Sequence, residues 1–259
     1  MQNLKVALVQ ADLVWQNPQA NRQKFESMIA AIESSVDLIV LPEMFTTGFT
    51  MEGAALAETM DGPSVLWMQK MAQRLGAVLV GSIIVQEKGT IFNRFIWARP
   101  QGKPGWYDKR HLFRMAGEHK VYSAGRDLRT FTLKGWRVRP FVCYDLRFPV
   151  WSRNVNLAYD VALYVANWPQ RRVSAWRSLL QARAAENQAY VVGVNRVGTD
   201  GLNIPYSGES LAVDAVGNIL ADLGHTEKVV TVELDREALE RYREKFPAWK
   251  DADRFALLD

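Results

Sequence analysis

Three residues of unlike chemistry each close an extended apolar stretch of this chain. Glu43 ends Leu38-Ile39-Val40-Leu41-Pro42-Glu43, Lys109 ends Gly105-Trp106-Tyr107-Asp108-Lys109, and Cys143 ends Val138-Arg139-Pro140-Phe141-Val142-Cys143. In α/β proteins, strand ends and the loops after them are where sites form, because the sheet fixes the residue while the loop stays open. A carboxylate, an ammonium and a thiol gathered there would make a nucleophile. A free thiol is only slightly ionised at neutral pH, so it needs a base to take its proton or a cation to hold the thiolate. Glu43 fits the first role and Lys109 the second. Lys109 could also face the oxygen that turns negative when an amide carbon becomes tetrahedral, together with the backbone N–H of Tyr144, the residue after Cys143. Taken singly, each residue has an ordinary reading: a cysteine at a strand end is core filler, and a lone glutamate or lysine after a strand is a solvated loop charge. The chemical reading rests on all three occurring together.

The elements that must position them are legible as short β-branched runs alternating with helical spacing. Leu4 to Val9 and Asp37 to Leu41 read as strands around a helix from Asn21 to Ser34, whose Phe25, Met28, Ile29 and Ile32 recur at helical intervals. A helix from Ser64 to Leu75 follows, with Pro63 suited to its first turn. Then come strands from Val78 to Ile84 and Ile91 to Ala98 about a turn at Glu87-Lys88-Gly89, and a second hairpin turn from Gly102 to Gly105. The second half offers a strand from Arg137 to Val142, a helix after Pro149, a strand from Val161 to Ala166, a helix from Ser174 to Asn187, and a strand from Tyr190 to Asn195. Strands around Glu209 to Val213 and Val229 to Leu234 complete it. Strands and helices alternating with inserted hairpins predict mixed sheets covered by helices, a four-layer α/β sandwich rather than a purely parallel doubly wound sheet.

The chain has 259 residues, 48% of them hydrophobic, which suits one domain over 1–259. Its last segment, 246–259, carries Phe246, Trp249 and Phe255 among charges and reads as a tail that docks on its own domain or across a subunit interface. A single cysteine cannot form an internal disulfide, which fits a reducing compartment. With no run of about 18 uncharged apolar residues and no small-residue cleavage site after the opening strand, a membrane span and a secretory signal are both unsupported, and a cytoplasmic location is expected. The net charge is +4 with basic and acidic residues interleaved, so no concentrated basic face points to nucleic acid. The three histidines and one cysteine contain no closely spaced pair of the kind zinc sites use.

The segments Leu41-Pro42-Glu43-Met44-Phe45, Tyr107-Asp108-Lys109-Arg110-His111-Leu112-Phe113 and Val142-Cys143-Tyr144-Asp145-Leu146-Arg147-Phe148-Pro149 resemble, in order, the three signature segments of the nitrilase (carbon–nitrogen hydrolase) superfamily. The resemblance runs from Val6-Ala7-Leu8-Val9-Gln10 through Asn167-Trp168-Pro169 to Arg183-Ala184-Ala185-Glu186-Asn187-Gln188. It implies an α-β-β-α sandwich, no metal or organic cofactor, a Glu-Lys-Cys triad and homo-oligomers built on a dimer. Position by position, it makes Glu43 the general base, Lys109 the stabiliser of tetrahedral intermediates and Cys143 the residue that forms an acyl thioester. It also makes Glu118 a second glutamate that orients Lys109 and the substrate. The cysteine and lysine segments look most like the bacterial omega-amidase branch, which implies a small amide substrate such as 2-oxoglutaramate, released as 2-oxoglutarate and ammonia in metabolite repair and methionine salvage.

A 2-oxo acid amide of this kind carries a carboxylate far from the scissile bond, which calls for arginine or several polar donors. Arg171 and Arg172, in the loop after Trp168-Pro169, are the candidates, and Arg147 is expected instead to pair with an acid. Phe45, Phe49 and Trp168 are expected to wall a narrow apolar pocket. Other readings keep the triad but change the substrate to deaminated glutathione or a nitrile. Further alternatives are a Cys-His hydrolase using His111 or His119, and a catalytically silent scaffold of the same fold.

Overall fold

The computed structural model describes residues 2–257. Its strands are β1 (Leu4–Gln10), β2 (Leu38–Val40), β3 (Val78–Glu87), β4 (Thr90–Ala98), β5 (Gly105–Asp108), β6 (Phe131–Leu133), β7 (Trp136–Val142), β8 (Val161–Val165), β9 (Tyr190–Val194), β10 (Val197–Thr199), β11 (Pro205–Ser207), β12 (Leu211–Val213), β13 (Ile219–Asp222) and β14 (Lys228–Leu234). The helices are α1 (Pro18–Ala30), α2 (Gly53–Leu56), α3 (Pro63–Leu75), α4 (Pro149–Ser152), α5 (Val173–Asn187) and α6 (Arg236–Lys245). Two six-stranded sheets result, in the orders β14-β1-β2-β3-β4-β5 and β13-β12-β9-β8-β7-β6, with β10 and β11 as a separate pair. Both sheets are mixed: β1-β2-β3 and β7-β8-β9 run parallel, and the flanking strands are antiparallel.

Strand parity explains the layers. Side chains alternate faces along a strand, and the first sheet is apolar on both. Val6, Leu8, Leu38, Val40, Phe95 and Trp97 face the second sheet in one core, whereas Ala7, Val9, Ile39, Leu41 and Ile96 pack under α1 and α3 with Phe25, Ile29, Val65 and Met68. On the far side, Trp176, Leu180 and Ala184 of α5 join the core of the second sheet. The arrangement is the expected four-layer sandwich. Among the described residues no helix is long and apolar enough to cross a membrane.

Several boundaries differ from the sequence reading. Helix α1 starts at Pro18 rather than Asn21, because Asn17 caps it by accepting from the Ala20 N–H at 3.0 Å and Pro18 needs no acceptor. Helix α6 has no counterpart in that reading. It carries only Leu239 and Arg243 as buried residues, so its apolar period is thin, and Asp235 starts it by accepting from Ala238 N at 3.0 Å. Short strands β6, β10, β11 and β13 were likewise unread; at three or four residues each they are too brief to show alternation.

Candidate active site

Three strand ends converge between the sheets. Glu43 follows β2, Lys109 follows β5 and Cys143 follows β7, and with Glu118 all but Cys143 are almost fully buried. Strands β2 and β5 belong to one sheet and β7 to the other, so the two sheets bring the acids and the ammonium against the thiol. Lys109 Nζ donates to Glu43 Oε1 and to Glu118 Oε1, both at 2.9 Å. Glu43 Oε2 accepts the Asn167 backbone N–H at 2.8 Å, and Glu118 Oε2 accepts that of Phe113. Burial would lower the Lys109 pKa, but the carboxylates of Glu118 and Glu43 outweigh it and hold the ammonium charged. Glu118 is pushed upward by burial and by the neighbouring Glu43, against the pull of Lys109.

Cys143 sits on a tight turn with φ +44°, outside the ordinary region for a residue with a side chain. It opens a one-and-a-half-turn 3-10 segment, Cys143–Arg147. The first amides of a helical segment have no partner inside it, so the Tyr144 N–H at the second position is available beside the sulfur. Asp145 holds this elbow. One carboxylate oxygen accepts the Tyr107 hydroxyl at 2.7 Å and the Val142 N–H at 3.0 Å, and the other lies 2.9 Å from the His111 N and 2.8 Å from its ring Nδ1. Burial raises the Cys143 thiol above its ordinary pKa, Glu43 raises it further by charge and as a hydrogen-bond partner, and Lys109 opposes both. The resting sulfur is therefore a thiol with a carboxylate beside it, and the chemistry available is deprotonation during attack rather than storage of a thiolate.

A cavity of about 380 Å³ opens over these groups. Glu43, Lys109 and Cys143 line it, with Tyr144, Phe49, Trp168, Arg171 and Arg172. The Phe49 ring centroid is 5.1 Å from Lys109 Nζ. Trp168 is fixed from both ends, its N–H donating to Asn195 Oδ1 and its ring Nε1 to the Arg172 carbonyl, each at 2.8 Å. Phe45 is not a wall: it is fully buried in the apolar layer beneath α1 and α3, edge-on to Phe25 at 5.5 Å, because the turn after Glu43 sends alternate residues to opposite faces. Arg147 also departs from expectation. Its guanidinium lies 5.0 Å over the Trp168 ring and lines the cavity, without an acidic partner among the described residues. Arg172 lies 5.1 Å over Phe113, and burial together with Arg171 and Arg147 lowers its pKa. Arg171 is the exposed member of the pair. The histidines stand apart: His111 stacks on Phe148 at 3.8 Å and faces Asp145, and His119 is exposed.

Sequence reasoning missed the uncharged groups. Asn93 donates to Glu43 at 2.8 Å and to Glu118 at 3.3 Å, and Asn167 holds Glu43 through its backbone N–H and through its side-chain amide on the Glu43 carbonyl. The only signal for Asn93 was a buried amide inside the apolar run Ile91 to Ala98.

Two facing mixed sheets between helical layers, with a Glu-Lys-Cys cluster at their junction, define a hydrolase of carbon–nitrogen bonds, and residues 5–244 match the family model described as carbon-nitrogen hydrolase. The chain belongs to that family. It is 50% identical over 258 residues to "Omega-amidase YafV" of Escherichia coli (strain K12), covering 99% of this chain and 100% of that one. With the "2-oxoglutaramate amidase" of Bacillus subtilis (strain 168) it shares 34% identity over 250 residues, 95% and 96% of the two chains. Among solved structures, the CN-hydrolase superfamily protein XC1258 of Xanthomonas campestris superposes with a TM-score of 0.97 at 44% identity, covering 99% of this chain and 100% of that one. That structure carries an arsenic adduct in its active site.

Proposed function

We propose that this protein is an omega-amidase, hydrolysing the terminal amide of a small 2-oxo acid amide such as 2-oxoglutaramate to the dicarboxylate and ammonia. The observation that carries the reading is the convergence of Glu43, Lys109 and Cys143 on one cavity whose rim holds guanidiniums that pair with no acid among the described residues. The Cys143 sulfur attacks the carboxamide carbon as its proton passes to Glu43. The oxygen that becomes negative is held by the Lys109 ammonium and the Tyr144 N–H. Collapse of the tetrahedral species breaks the C–N bond, and Glu43 returns its proton to the nitrogen, which leaves as ammonia. A water then gives a proton to Glu43 and attacks the thioester carbon, and the second collapse releases the carboxylate and restores the thiol. Glu118 keeps Lys109 in place throughout.

Arg172 is the arm for the substrate's distal carboxylate, with Arg147 beside it and Arg171 further out. Arg172 and Arg147 lie over the aromatic faces of Phe113 and Trp168, which leaves their donors free for an anion. The tail from Phe246 is tethered at its start, since Gln188 Nε2 donates to the Phe246 carbonyl at 2.6 Å and Trp249 N to Gln188 Oε1 at 3.2 Å. Phe246, Phe255 and Leu257 stay largely exposed, which supports a homodimer or higher homo-oligomer that covers them, measurable by light scattering on the purified protein.

The deciding experiment measures ammonia release from 2-oxoglutaramate, glutamine, asparagine and a simple nitrile. The 2-oxo acid amide should lead, and equal or greater turnover of the nitrile would overturn the assignment. Mass spectrometry should find an acyl adduct on Cys143 that Cys143→Ala lacks; no adduct and no turnover would mean a silent scaffold.

A further inference from the structure

Asn93 is fully buried in the middle of β4, on the strand face that carries Phe95 and Trp97 into the space between the sheets. An amide in such a place is retained only with its hydrogen bonds made, and both of the bonds it donates go to acids of the site. Glu43 Oε1 and Glu118 Oε1 share two donors: Lys109 Nζ at 2.9 Å from each, and Asn93 Nδ2 at 2.8 and 3.3 Å. One ammonium thus stands between two carboxylates that are both fully buried, and a buried acid pair of this kind ordinarily takes up a proton. A proton on Glu43 would disable it as the acceptor for the Cys143 thiol.

We propose that Asn93 is a positioning residue that donates one N–H to each of Glu43 and Glu118, so that both acids stay ionised around a single lysine and Glu43 remains a base. The inference rests on the reading of Glu43 as general base given above. The orientation of the amide is set by its other end. Ser82 Oγ accepts the Met44 backbone N–H at 2.8 Å, which turns its own hydrogen toward Asn93 Oδ1, also at 2.8 Å. With Oδ1 committed as acceptor, both hydrogens of Nδ2 point to the carboxylates; a flipped amide would set an oxygen against two anions. Glu43 Oε2, which accepts only the Asn167 N–H among these donors, is left as the oxygen that receives the thiol proton.

The test reads the pH dependence of Cys143 alkylation by iodoacetamide, which needs no substrate, beside that of kcat/KM on 2-oxoglutaramate. Loss of a donor to a carboxylate disfavours its charged form, so Asn93→Ala should move the acid limb of both profiles upward by about one pH unit. At acid pH the rate should then fall about tenfold, with KM little changed. Ser82→Ala, which frees the amide to turn, should shift the limb the same way by less; it and Asn93→Ser also stand in should Asn93→Ala not fold. An acid limb that stays put in folded Asn93→Ala, whatever happens to the plateau, would overturn the proposal and leave Asn93 a packing residue. Glu43→Gln separates the two claims: if the limb survives in that variant, the limb is not Glu43's and the base assignment itself has failed.

Discussion

At Cys143 the local charge balance decides the mechanism. Two carboxylates and one ammonium surround a partly buried sulfur, and the thiol is raised by burial first, then by Glu43, with Glu118 adding to it and Lys109 opposing. Cysteines that react as preformed thiolates sit in electropositive surroundings; this one does not, so its reactivity depends on proton transfer to Glu43. Two opposite effects should follow from Glu118→Gln. Removing a negative neighbour lowers the thiol pKa, so alkylation of Cys143 by iodoacetamide at pH 7 should be faster than in the wild type. Amide hydrolysis should be slower, because Lys109 loses one of its two anchors. A variant slower in both assays would show that Glu118 acts on the thiol by position rather than by charge. The histidines give the companion test: His119→Asn should leave the ammonia-release rate essentially unchanged, and His111→Asn, which loses the Asp145 contact, should slow it without the loss of roughly 10²–10⁴-fold that removal of a general base brings.

Helix α6 is held by charge rather than by apolar area. Asp160, fully buried where β8 begins, accepts from Arg137 of β7 at 2.8 Å, Arg236 of α6 at 3.1 Å and Arg243 of α6 at 2.6 Å. Burial alone would raise its pKa, but these donors, Arg137 and Arg243 foremost, hold it down at about 2. A depressed carboxylate contributes stability that is present above its unfolded pKa near 3.8 and is lost as pH falls through about 2. The shift corresponds to roughly 2 kcal/mol, lost over that window in acid unfolding monitored by circular dichroism. Asp160→Asn leaves three guanidiniums facing a neutral amide and should cost about 3 kcal/mol in urea unfolding; a cost below about 1 kcal/mol would mean that α6 docks through Leu239 and its neighbours instead. The same helix marks where the sequence stopped being legible. Strands such as Leu4–Gln10 announce themselves because both faces are apolar, and Glu43, Lys109 and Cys143 stand out as charged or reactive groups at strand ends, whereas Glu118, in a 3-10 turn well after β5, is reached only through the resemblance to the family. Asp160 and its arginines are separated by up to 83 positions, and Asn93, Asn167 and Asp145 are uncharged or ordinary side chains whose roles depend on which strands become neighbours. Nothing local in the chain reports that pairing. Phe45 failed as a pocket wall for the related reason that one residue of offset in a turn exchanges the two faces of a sheet.

Across the whole molecule, the active site is also the seam. Glu43 and Lys109 come from the sheet built by residues 4–108 and 228–234, and Cys143 and Asn167 from the sheet built by residues 131–222. The same seam carries the main core: Trp97 stacks on Phe131 at 4.8 Å, Tyr107 meets Phe141 edge-on at 6.4 Å, and Tyr107 hydroxyl reaches across to Asp145. The closing strand β14 pairs with β1 along its length, Leu4 opposite Leu234 through Gln10 opposite Lys228, so the first and last strands are stitched into the first sheet while the second sheet lies between them in sequence. Neither sheet can cover its inner face without the other, and one strand of the first sheet is made after the second is complete. We therefore expect a single cooperative unit rather than two halves that melt separately. In urea, loss of 2-oxoglutaramate hydrolysis, loss of far-UV circular dichroism and the change in tryptophan fluorescence should share one midpoint, and Trp97→Ala should move all three together by the equivalent of about 3–5 kcal/mol. Activity lost at a lower urea concentration than the secondary structure would instead show that the sheets part at the seam before either unfolds, leaving Cys143 separated from its base in an otherwise folded chain.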